Sequence, residues 1–154
     1  PLAFPLGARW VEVSAPYVAF DAAYWIEQGA PRFCIDDIFE DNDNPDEAYP
    51  IGYGAELSLN LCSQDEDYFM MEVQGGFVTE VTLERLDPSL ELWALELASL
   101  TDGSSEVALV EAYDAQVSRR FARDDAVIIK VSCLSGCEER DISTRYNLSV
   151  ARDR

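Results

Sequence analysis

The chain has 154 residues, 48% hydrophobic and 11% aromatic, enough to bury the core of about one domain and too apolar for the disordered class. Thirty acidic residues against eleven basic ones give a net charge of -19, and Lys130 is the only lysine, so phosphate backbones and anionic lipid surfaces are repelled. The absence of histidine excludes Ser-His-Asp and Cys-His nucleophilic sites, HExxH metalloprotease sites and histidine proton shuttles.

No apolar run approaches the roughly 18 to 20 residues of a membrane helix. Neither nucleic acid nor membrane insertion is expected. The chain opens on Pro1 without a tripartite leader, which fits a mature product or a piece of a longer protein. Residues 1–33 are expected to form an N-terminal arm. Its stretch ARWVEVSAPYVAFDAAYWIEQGAP carries Trp10, Tyr17, Phe20, Tyr24 and Trp25, with Gly29 and Pro31 punctuating its end. Two local forms fit it, an extended strand or a short helix over 19–28 stopped by Gly29. Its aromatics either cover an open face of their own domain or reach a neighbouring subunit. The second alternative makes them interface residues and the chain a homo-oligomer or polymer.

Next comes CIDDIFEDNDNPDEA, Cys34 to Ala48, dense in Asp, Glu and Asn. An EF-hand is excluded, because a loop starting at Asp41 puts Asp46 where the invariant glycine belongs. The plainest alternative is a solvated linker.

From residue 55 onward period-two alternation dominates, the pattern of a strand with one face on a core. Strands are predicted at 55–61, 67–73, 77–84, 90–97, 106–112, 115–121, 126–132 and 144–150. Between them lie Gly75-Gly76, Asp87-Pro88, Asp102-Gly103, Asp124-Asp125 and Ser135-Gly136 as turn signals. About eight short strands make residues 34–154 an all-β domain, an antiparallel sandwich or jelly roll. Val127, Ile129 and Val131 should face inward, with Ile128 and Lys130 on the other face. A helix is the rival over Leu90 to Leu100. The sequon Asn147-Leu148-Ser149 falls inside the last strand and is read as chance.

Cys34, Cys62, Cys133 and Cys137 allow three pairings, and the even count in a non-cytosolic chain favours disulfides. Spacing suggests Cys133 with Cys137 across a tight turn, leaving Cys34 with Cys62. A four-cysteine zinc site normally brings two close pairs, and only one is present. Paired-carboxylate glycoside hydrolysis stays chemically open, although so many carboxylates form chance pairs on any surface. No GxxxxGK[ST] or GxGxxG loop appears.

The series DDIFEDNDNPDEA, CSQDEDYFMMEV, LELWAL, AVIIKVS and RYNLSV resembles the bacterial pre-peptidase C-terminal family over residues 34–150. The most specific parts are Glu40, Asn42 and Asp43 as Glu-x-Asn-Asp, the segment Asp65 to Phe69, and Tyr146 to Val150 as Tyr-x-Leu-x-Val. The sequence departs from the collagenase-type pattern at Ile38, where a second glutamate can stand. The resemblance implies a calcium-associated β-sandwich module of secreted bacterial proteins. Calcium takes six to eight oxygens, which explains gathering carboxylates and amides in one stretch. The implied ligands are Glu40, Asn42 and Asp43, joined by Asp65 and Asp67, with a Cys34 to Cys62 bridge holding the two segments together.

Two functions fit. One is a secreted, non-catalytic structural subunit of an extracellular or cell-surface assembly, with the arm in its subunit contacts. The other is an accessory module that holds a secreted enzyme on a protein or glycan polymer through exposed aromatics. The location of Trp10, Tyr24, Trp25 and Trp93 separates them.

Overall fold

The computed structural model describes residues 37–62, 65–86, 91–110, 113–135 and 144–153. The expected arm, including Trp10, Tyr17, Phe20, Tyr24 and Trp25, lies outside these residues, as do Cys34 and Cys137.

Nine strands follow in chain order: β1 (Tyr49–Pro50), β2 (Glu56–Leu61), β3 (Glu66–Val73), β4 (Val78–Arg85), β5 (Leu92–Ser99), β6 (Ser105–Val110), β7 (Asp114–Arg120), β8 (Asp125–Ser135) and β9 (Thr144–Asp153). They form a five-stranded sheet, β1-β3-β8-β5-β6, and a four-stranded sheet, β2-β9-β4-β7. All pairs are antiparallel except β1 with β3. The architecture is a β-sandwich. Each predicted strand falls within a few residues of an observed one; the short β1 was not anticipated. The segment 92–99 is β5 and not a helix, because Trp93, Leu95 and Leu97 face the core in strict alternation.

The core lies between the sheets. Phe69, Met71 and Val73 of β3, Val81 and Leu83 of β4, Trp93, Leu95 and Leu97 of β5, and Tyr146, Leu148 and Val150 of β9 interdigitate there. Val127, Ile129 and Val131 of β8 join them as expected, with Ile128 and Lys130 on the outer face. Turn residues fix the connections. Gly76 has φ near 85°, and a Cβ on Gly75 would meet the Arg123 backbone at 2.5 Å, so the β3–β4 turn packs against the β7–β8 connection only because glycines occupy it.

Candidate metal centre

The acidic segment docks beside β2 and β3. Asp37 begins the attachment: one carboxylate oxygen accepts the Asn60 amide of β2 at 2.9 Å and the other accepts the Phe39 amide at 2.9 Å. Phe39 then packs on the core and meets Tyr49 edge to face at 4.7 Å. The Tyr68 amide donates to the Asn42 carbonyl at 2.9 Å, and the Asn42 side-chain amide donates back to the Tyr68 carbonyl at 3.3 Å. These bonds turn Asn42 inward, where it is only 1% exposed.

Docking draws carboxylates together. Glu40, Asp43 and Asp65 present oxygens within 4.8 Å of one another. Asp67 stands at the inward-facing start of β3, 1% exposed, and accepts the Tyr146 hydroxyl of β9. Three buried oxygens here lack hydrogen-bond partners: Glu40 Oε1, Asn42 Oδ1 and Asp67 Oδ1. Buried polar atoms are normally partnered, and leaving one bare costs about 1–3 kcal/mol.

The electrostatics follow from burial and crowding. Burial, reinforced by Asp65 and Asp43, raises the Glu40 carboxyl to about 7. Burial and the neighbouring Asp43 raise Asp65 to about 6, against an opposing hydrogen bond from the Glu66 amide. Burial lifts Asp67 to about 8; the charges of Asp65, Glu40 and Asp37 add to this, and the Tyr146 hydroxyl works against it. Each group resists ionising for want of a positive charge. The donor set is carboxylate and amide oxygen throughout, with unpartnered lone pairs, which fits a hard cation such as calcium and not zinc.

All five residues expected from the sequence lie at this corner. Glu40, Asp43 and Asp65 form the tight group, while Asn42 and Asp67 supply buried oxygens beside it. Sequence reasoning missed the supports. Asp37 pins the segment to β2, and Tyr146 holds Asp67, although Tyr146 was singled out as part of a motif.

A second buried polar group sits at the ends of β4 and β5. The Arg85 guanidinium donates to the Glu91 carbonyl at 3.0 Å and to its carboxylate at 3.4 Å, and lies 4.7 Å over the Trp93 ring. Trp93 Nε1 and the Thr144 hydroxyl also donate to the Glu91 carboxylate, at 3.3 and 3.4 Å. Trp93 is therefore a core residue, edge-on to Tyr146 at 5.7 Å.

Cys62 and Cys133 are both disulfide-bonded, and no described cysteine is a free thiol. The expected pairing falls on Cys34 and Cys137, outside the described residues. The outer face of the four-stranded sheet carries Glu56, Ser58, Asn147, Ser149, Thr82, Glu84 and Gln116, without an aromatic among its described residues.

Among solved structures, the chain is similar to the pre-peptidase C-terminal domain of a collagenase from Bacillus anthracis, at 16% identity over 71% of this chain and 99% of that one, with a TM-score of 0.47. That domain carries the name of the family the sequence motifs resemble. The chain is also similar to PliG of Aeromonas hydrophila, a periplasmic inhibitor of g-type lysozyme, at 11% identity over 69% of this chain and 96% of that one, with a TM-score of 0.50. At such identities the likeness bears on the fold alone. No family model and no curated protein matches the chain.

Proposed function

We propose that the chain is a non-catalytic structural subunit of an extracellular assembly, built on a calcium-braced sandwich. The observation that carries this reading is the corner where Glu40, Asn42, Asp43, Asp65 and Asp67 converge. Calcium there would neutralise carboxylates that now oppose one another and satisfy oxygens that now lack partners. It would also fix residues 37–43 to β2 and β3. Extracellular calcium is abundant enough for a site of moderate affinity, in keeping with an extracellular or cell-surface location, and disulfides suit the same compartment.

The second reading, an accessory module on a protein or glycan polymer, draws on the family resemblance. It needs exposed aromatics on a sheet face. Trp93 is spent on the core, Tyr68 on the outer face of the five-stranded sheet is buried with the Lys130 ammonium 5.3 Å from its ring, and the exposed aromatics among the described residues are Tyr49 on the two-residue β1 and Tyr113 ahead of β7.

Electron microscopy of the full chain in millimolar calcium tests the choice. Regular filaments or sheets support the subunit; dispersed particles of domain size favour the accessory module. A melting temperature unmoved by calcium or chelator would remove the brace from both.

A further inference from the structure

Among the described strands four lie at sheet edges, β1, β2, β6 and β7, and they differ in what they present to a further strand. β1 is two residues long and ends on Pro50. The outward side of β2 shows Glu56, Ser58 and Asn60, and that of β7 shows Asp114, Gln116, Ser118 and Arg120. Short length, proline and charge are the ordinary means by which an edge avoids unwanted pairing. β6 differs in its outer face, which is apolar, while its one charge, Glu106, lies on the opposite face. Its sequence SEVALV contains a single charged residue, and its outer-face residues Val107 and Leu109 are 57% and 54% exposed. They stand opposite Glu96 and Ala94 of β5, so an added strand would continue an existing face.

We infer that β6 is the acceptor edge for the N-terminal segment of a second copy of this chain. The inference rests on the subunit reading and names the surface that reading requires. Charge favours this occupant. Residues 1–33 hold Arg9 and Arg32 against Glu12, Asp21 and Glu27, a net -1 of the chain's -19, so this segment approaches another copy with little repulsion. Pattern favours it as well: within Arg9 to Ser14, Val11 and Val13 alternate with Trp10 and Glu12, over the same six residues that β6 spans. Reach is ample, since 33 residues extend to about 110 Å.

Geometry sets the outcome. The described chain begins at Asp37 beside β2 and β3, whereas β6 is the far edge of its sheet, three strand spacings or about 14 Å from β3. The donor segment and the acceptor strand are different parts of the chain. Strand addition between them is heterologous, and each copy would pass its segment to the next in an open chain.

The test compares three full-length proteins in millimolar calcium by sedimentation and electron microscopy: the parent, Val107→Glu with Leu109→Glu on the acceptor, and Val11→Asp with Val13→Asp on the donor. The inference expects the parent to assemble and each variant to need about tenfold or more higher concentration, with melting temperatures of the dispersed proteins unchanged. Amide exchange guards against a misfolded variant, because in the assembled parent the β6 amides turned away from β5 should become protected. Assembly lost in the donor variant but kept in the acceptor variant overturns β6 as the acceptor and leaves the subunit reading standing. Assembly lost only in the acceptor variant means that β6 meets a surface other than residues 9–14, which also overturns the inference. A parent that never assembles ends the subunit reading and this inference together.

Discussion

Around Arg85 the buried charges answer one another: the guanidinium meets Glu91, stacks on Trp93, and shares that carboxylate with the Trp93 and Thr144 donors. Around Asp67 they do not, since Glu40, Asp43 and Asp65 crowd like charge into one corner and leave oxygens of Glu40, Asn42 and Asp67 without partners. The two groups are neighbours through the contact of Trp93 with Tyr146 and the bond from Tyr146 to Asp67. Burial alone therefore does not mark a functional site. A buried polar cluster whose opposite charges are matched is architecture, and the corner of crowded like charge is the one the calcium proposal addresses.

The largest effect expected from this contrast is that of Arg85→Ala. Removing one partner of a buried ion pair costs about 3–5 kcal/mol, and the loss should be the same in calcium and in chelator when measured by denaturant unfolding. A cost that changed with calcium would make the two clusters one unit. Next in size is calcium itself, which at a hundredfold excess over its Kd should stabilise the parent by about 2.7 kcal/mol, read as a melting shift reversed by chelator.

The pH dependence sharpens the same point. Folded carboxyls raised to about 7, 6 and 8 at Glu40, Asp65 and Asp67 bind protons more readily than the unfolded chain does. Their contribution is present below the unfolded values near 4 and lost as pH rises through the folded ones. In chelator the melting temperature should fall by several degrees between pH 5 and 8, and calcium should flatten that slope. A flat profile in chelator would remove the electrostatic account. The smallest effect in chelator belongs to Asp67→Asn. The amide can still accept from Tyr146 and replaces a group largely protonated near neutrality, so stability at pH 7 should stay within about 1 kcal/mol while the calcium shift is mostly lost.

Alternation made the strands legible, because a one-residue slip would turn every apolar side chain outward. The same parity places Asp67 on the face of Phe69 and Met71, and Arg85 on that of Val81 and Leu83, so both inward positions were readable. Expecting β4 to end at Glu84 hid the second. Strand neighbours were not readable, since nothing local tells β9 to lie between β2 and β4. The candidate ligand residues were available from acidic density and the family resemblance. Their supports were not, because Asp37 acts through a backbone amide 23 residues away and Tyr146 through a carboxyl 79 residues away. The edge with the apolar outer face needed the fold before SEVALV could be told from any other strand.

The wiring of the sheets bears on how the protein is made. β9, the last strand, lies between β2 and β4, and β8 lies between β3 and β5. Neither sheet can close until almost the whole chain is available, with loop-closure entropy spent before the distant pairs form. Its last strand then acts as the timer of folding, and a copy cut before residue 144 would lose the partner shared by β2 and β4 and with it the four-stranded sheet.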